Sequence, residues 1–219
     1  MAYRPRIRRR WPGRALMVLA GTAVAASASC GAPKYHYVKS SADRTYVRVP
    51  HEWTLFHENE LVNKLDQSPE ARDQYKRLNW SVAFDAAPRP SLDHVLSVSD
   101  HPTGLVQVST LLPEQRDRFS LSTLRSVLLD FDPLDGEAQD SVEVLESRDV
   151  ERPGGLHGNE LLINIKTPEG RLVKWRQVAL VDGAVRKVHV LAISCDAGCY
   201  AANEKVIDEV VSSWKVKER

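Results

Sequence analysis

Three turn signals punctuate the second half of the sequence, and they limit the possible folds more than any other feature. Pro153-Gly154-Gly155, Pro168-Glu169-Gly170 and Asp182-Gly183 separate the apolar runs Val142–Leu145, Glu160–Ile165, Leu172–Val181 and Val185–Ile193. The last two connections are short enough for hairpins, so the strands they join must be antiparallel. A helix is predicted to follow from about Ala201 to Trp214, with Val206, Ile207, Val210, Val211 and Trp214 as its apolar stripe.

The first half alternates between strand and helix signals. Thr45–Val49 reads as a strand broken by Pro50, and Trp53–Phe56 begins a second. Ser68-Pro69-Glu70 has the form of an N-cap, an N1 proline and a first-turn acid, with Ala71, Tyr75 and Leu78 on one helical face. Trp80–Phe84 and Leu105–Leu111 are further strands, with loops over 85–103. Ser120 or Ser122 caps a predicted helix whose Leu121, Leu124, Val127, Leu128 and Phe131 share a face, and the tract Asp132–Asp140 turns outward after it. The pattern predicts the α+β class, an antiparallel β-sheet flanked by helices.

The N-terminus carries an address. Residues 1–29 hold six arginines and no acidic residue, and the basic run ends at Arg14. Ala15–Ser29 follows without a charge, in the order of a secretory signal and short of the roughly 20 residues a membrane-spanning helix needs. Ser27-Ala28-Ser29-Cys30-Gly31 resembles a bacterial lipobox, in which the cysteine thiol takes a diacylglycerol group; Ser27 departs from the aliphatic residue usual there. Ala26-Ser27-Ala28 also reads as a plain A-x-A cleavage site that would release a secreted protein. The cysteine count of 3 favours the lipobox, because simple secretion would leave Cys30 as an odd thiol. The expected organisation is a signal peptide over 1–29, a lipid-anchored tether over 30–44 and one domain over 45–219. The domain is expected at the extracytoplasmic face of the membrane, attached through Cys30.

Composition excludes some partners. Removing the six N-terminal arginines from the 30 Lys and Arg leaves 24 against 29 Asp and Glu, a net of −5. A mildly acidic domain without a basic stripe argues against nucleic acid, whose phosphates need clustered cations.

Few motifs in the sequence carry chemistry. Cys195 and Cys199 lie four apart across a glycine and are expected to form a structural disulfide in an oxidising compartment. Their spacing is not the redox C-x-x-C, and no His or Cys cluster completes a zinc site. Asp130, Asp132, Asp135, Glu137 and Asp140 evoke a calcium loop, but Leu134, Gly136 and Ser141 break the register, so a solvated loop is expected. The 7 histidines form no H-E-x-x-H, and His189 is free to point outward or pack inward. No G-x-S-x-G and no phosphate loop appears, so neither a catalytic residue nor a cofactor is assigned. Trp53, Trp80, Trp175 and Trp214 read as core.

The strand ending Val49-Pro50 before Trp53 resembles the Φ-P-x-x-W opening of PsbP/Mog-type proteins. The 157–193 meander and the helix ending Val210-Val211-Ser212-Ser213-Trp214-Lys215-Val216 are similar to that family's close, and actinobacterial lipoproteins form one branch of it. The resemblance implies an α/β/α sandwich and a non-enzymatic accessory or binding domain for a protein partner or apolar ligand. An envelope hydrolase with dispersed residues, and a structural subunit of an envelope complex, are the alternatives. Because only core and turn positions match, the resemblance transfers no binding residue.

Overall fold

Seven strands form the larger of two sheets in the computed structural model, which describes residues 33–64, 67–136 and 140–217. In chain order the strands and helices are β1 (Tyr35–Ser40), β2 (Thr45–Pro50), β3 (Thr54–His57), α1 (Glu58–Lys64), α2 (Pro69–Leu78), β4 (Asn79–Asp85), α3 (Leu92–Val95) and β5 (Thr103–Thr110). There follow α4 (Pro113–Arg116), α5 (Leu121–Arg125), β6 (Val142–Glu151), β7 (His157–Lys166), β8 (Leu172–Val181), β9 (Lys187–Asp196), α6 (Ala197–Ser213) and β10 (Lys215–Val216). The large sheet runs β3-β4-β5-β9-β8-β7-β6 and is antiparallel throughout; β1-β2-β10 make a smaller antiparallel sheet. The fold class read from the sequence, α+β with an antiparallel sheet and flanking helices, is the one observed.

Each face of the large sheet has its own core. On one face Val82, Phe84, Val106, Val178, Leu180, Leu191 and Ile193 pack beneath α6 and the small sheet, which contribute Ile207, Val210, Val47 and Val49. On the other, Ala179, Val181, Val188 and Val190 pack with Leu124 of α5. The two-residue period of β8 and β9 accounts for this: Leu191 and Ile193 face one way and Val188 and Val190 the other. Trp53 stacks on Phe84 at 5.6 Å between ring centroids, and the Trp214 indole N–H donates to Thr45 Oγ1 at 3.1 Å. None of the four tryptophans expected in the core is exposed.

Two expectations are corrected. Residues 30–44 do not all form a tether: Tyr35–Ser40 is β1, paired with β2 from Tyr35↔Pro50 to Ser40↔Thr45. Its alternation is weak in sequence, and only Val38 and Ser40 are buried, so the pairing with β2 creates the strand. The helix starting at Ser120 stops at Arg125 rather than continuing to Phe131. Gln177 Nε2 donates to the carbonyls of Arg125 at 3.0 Å and Leu124 at 3.4 Å, and Arg125 forks onto Asp132 at 2.8 and 2.6 Å. Those bonds satisfy the helix end and turn the chain away. The signal segment and Cys30 lie outside the described residues. Among the described residues no helix is long and apolar enough to cross a membrane.

Candidate functional site

A cavity of about 640 Å³ opens where the β8–β9 hairpin meets the β1–β2 turn and the residue after β10. Its floor is His189, 4% exposed, on the α6 face of β9. Burial pushes its imidazole down to about 4, so the ring is neutral near pH 7. Its Nδ1 is buried without a hydrogen-bond partner.

The walls are cationic. Arg44, Arg116, Arg186, Lys187 and Lys217 line the groove, against Asp43 and Asp182. Both acids have partners within the protein. Asp43 accepts from Lys187 Nζ at 2.5 Å and Ser40 Oγ at 2.7 Å. Burial raises the Asp43 carboxyl, but those two donors outweigh it and the net shift is downward. Asp182 accepts the backbone N–H groups of Arg186 at 2.5 Å and Lys187 at 3.0 Å, with Arg186 Nε at 3.3 Å. With five cations against two acids, the lining carries a net positive charge even though Lys187 and Arg186 are paired with those acids.

The backbone at this rim is unusual. Among the described residues, those other than glycine with positive φ are Arg44 at 50° and Val185 at 51°. Arg44 lines the groove in the β1–β2 turn, and Val185 sits between the lining residues Ala184 and Arg186. A left-handed β-branched residue is strained, and such strain collects at functional sites.

A second cavity of about 340 Å³ lies on the other face, between α5 and the β4–β5 strands. One wall is apolar, including Leu111, Phe119 and Val127; the other is a polar ladder. There Ser109 Oγ donates to Asn79 Oδ1 at 2.6 Å, and Gln107 Nε2 to Ser109 Oγ at 2.8 Å.

The residues singled out by sequence fall elsewhere. Cys195 and Cys199 are joined as a disulfide with Cα atoms 6.0 Å apart, pinning β9 to the start of α6. Cys195 is six residues along β9 from His189, on the order of 20 Å at strand rise. In the acidic loop, Asp132 is not simply solvated: the Arg125 fork holds its carboxyl at about 2. Glu137 lies outside the described residues. Among the described residues no cluster of three or more His, Cys, Asp or Glu could hold a metal.

No family model matches the sequence, and no curated protein does. Solved structures do match. The solution structure of cyanobacterial PsbP from a Synechocystis species aligns with a TM-score of 0.50 over 89% of this chain and 99% of that one, at 12% identity. The fold is PsbP-like. The Ran-binding protein Mog1p of Saccharomyces cerevisiae aligns over 83% of this chain and 95% of its own, with a TM-score of 0.44 and 11% identity. LpqN of Mycobacterium tuberculosis, a protein involved in cell envelope biogenesis, aligns over 84% and 91%, with a TM-score of 0.44 and 14% identity. Identities this low speak to the backbone and to no residue's role. In this PsbP-like domain the cationic groove therefore rests on its own geometry. Sequence reasoning missed it because its lining is scattered over the positions 42–44, 110, 116, 182–189 and 217.

Proposed function

We propose that the chain is an extracytoplasmic lipoprotein, anchored through Cys30, whose PsbP-like domain is a non-enzymatic accessory module. It docks a protein partner by taking an acidic segment into the cationic groove. The observation that carries this reading is the lining itself: five cations against two acids around a buried, unpartnered His189 Nδ1, a positive excess that remains after Lys187 and Arg186 pair with Asp43 and Asp182. Carboxylates suit Arg and Lys walls, and Arg186 and Arg116 offer planar donor forks. The groove's charge also favours an acidic segment over an apolar ligand.

The test is a titration of the full chain, purified from bacterial membranes, with a hexaglutamate peptide, followed by calorimetry. Binding is expected to weaken with added salt and to fall about tenfold or more in the R186E/K217E double variant, as lost charge pairs imply. Binding indifferent to both changes, or no binding, would overturn the groove as the docking site.

A further inference from the structure

The small sheet has an outer face that the groove does not use. In antiparallel strands, residues directly opposite each other share a face. Val38, Thr45, Val47 and Val49 are buried, so Tyr35, Tyr37 and Lys39 of β1, Tyr46 and Arg48 of β2, and Lys215 of β10 project outward. The pairs Tyr37↔Arg48, Lys39↔Tyr46 and Lys215↔Tyr46 knit them into one surface.

The chemistry of that surface is specific. It holds three tyrosines and three cations and no acidic side chain, in a mature chain whose net charge is −5. Tyr37 is 61% exposed, the most of any exposed large hydrophobic among the described residues. Its ring stacks with Tyr46 at 6.2 Å, and the Arg48 guanidinium lies 5.2 Å from the Tyr35 ring centre. Glu209 stands at the margin, where it accepts from the Tyr35 hydroxyl at 3.1 Å and lies 4.0 Å from Lys34 Nζ. Tyrosine at the headgroup level and cations toward anionic lipid are the residue types that membrane interfaces favour.

Position selects the occupant. Residues 31–34 alone separate Cys30 from the first residue of β1, and a fully extended link of that length reaches about 17 Å. A six-residue strand is itself about 20 Å long. An acyl group on Cys30 would therefore hold β1 within one strand length of the headgroups.

We infer that the outer face of the β1-β2-β10 sheet lies on an anionic lipid bilayer and sets the orientation of the domain. The inference rests on the proposed anchor at Cys30. The acyl chains retain the protein, and the tyrosine and cation face decides which side of it looks at the membrane. With that face down, α2 on the opposite side of the large sheet points away.

The experiment reconstitutes the full chain from a native-like bacterial host into phosphatidylcholine vesicles with and without phosphatidylglycerol. A water-soluble amine-acylating reagent is applied, and labelled lysines are quantified by mass spectrometry. Lys39 and Lys215 are expected to react about fivefold less than exposed Lys76 of α2 when phosphatidylglycerol is present, near the effect of one cation at an anionic surface. The Y37S/R48E variant, changed at partly solvent-facing positions, is expected to lose that protection with its thermal midpoint unchanged. Equal labelling of Lys39, Lys215 and Lys76 would overturn the inference. The same digest shows whether Cys30 carries acyl groups, so failure of the anchor is read separately. If it carries none, the soluble chain is added to the same vesicles, and protection of Lys39 and Lys215 there upholds the face while its absence overturns it.

Discussion

Lys187 Nζ lies 2.5 Å from Asp43 Oδ1, an ion pair that ties the first residue of β9 to the β1–β2 turn across 144 positions of chain. The pair is partly open to solvent, with side-chain exposures of 36% and 14%, so its net contribution is small. Asp43→Ala is expected to cost about 1 kcal/mol or less in denaturant unfolding. It also frees the Lys187 ammonium and removes one of two acids from the groove. Affinity for hexaglutamate should rise in this variant; a fall would mean that Asp43 shapes the site instead of restraining its charge.

His189 predicts a pH dependence. Its folded value of about 4 lies below the ordinary 6.5, so the unfolded chain binds a proton that the folded one refuses. Stability is then full above the ordinary value and falls as pH drops from about 6.5 through 4, by roughly 3 kcal/mol at most. Urea midpoints across that window should show the slope in the parent and a flatter profile in His189→Leu. Identical profiles would show that the ring titrates normally.

A buried acid between two arginines predicts an asymmetry. Glu160 is 3% exposed and accepts from Arg176 at 2.7 Å and, at a short contact, from Arg148. Burial disfavours the Arg176 charge, but Glu160 outweighs it and the guanidinium is held more firmly protonated. Removing Glu160 takes away the buried carboxylate and leaves Arg176 with the more exposed Asp208, so Glu160→Ala should cost about 2 kcal/mol. Arg148 is 54% exposed, and Arg148→Ala should cost under about 1 kcal/mol in the same unfolding assay.

Gly104 sits opposite Phe84 in the β4–β5 register. A Cβ there would lie 2.4 Å from the Phe84 ring and 2.6 Å from the Ala192 carbonyl oxygen. Gly104→Ala is expected to displace the ring from Trp53 and cost about 2 kcal/mol, read as a lowered thermal midpoint and altered tryptophan fluorescence.

The disulfide closes a separation of only four residues, which restrains the unfolded chain little. Replacing both Cys195 and Cys199 by serine should cost about 2 kcal/mol or less and leave hexaglutamate binding intact, since the bridge lies at the other end of β9 from His189.

How far the sequence foretold the structure depends on how local each signal is. The β7–β8–β9 meander was readable because Pro168-Glu169-Gly170 and Asp182-Gly183 encode their turns within a few residues, and Asp182 does accept the two N–H groups that close its hairpin. Ser68 caps α2 as its residue type suggests, accepting from the Ala71 N–H at 3.3 Å. β1 was not readable, because its partner lies beyond a turn and it buries only Val38 and Ser40. The short helices α1, α3 and α4, at 7, 4 and 4 residues, are too brief to show a period. α5 ended early because of Gln177, 52 positions from Arg125. The groove was invisible for a related reason: its charges become neighbours only when the hairpin, the β1–β2 turn and the residue after β10 have met.

The pairing of β10 with β2 reverses the usual relation between synthesis and assembly. Strand β2 is completed at its second edge by Lys215↔Tyr46 and Val216↔Thr45, while the Arg48 N–H donates to Ser213 Oγ at 2.9 Å. Trp214 reaches Thr45 over a separation of 169. Whatever emerges first must wait for nearly the whole domain before its edge is closed. Until then Val47 and Val49 lack α6 above them, and β2 offers bare N–H and C=O groups to any passing strand. Loop closure over such distances makes this seam slow to form. The nascent domain is thus most adhesive at its oldest segment, and that is where a chaperone would need to hold it.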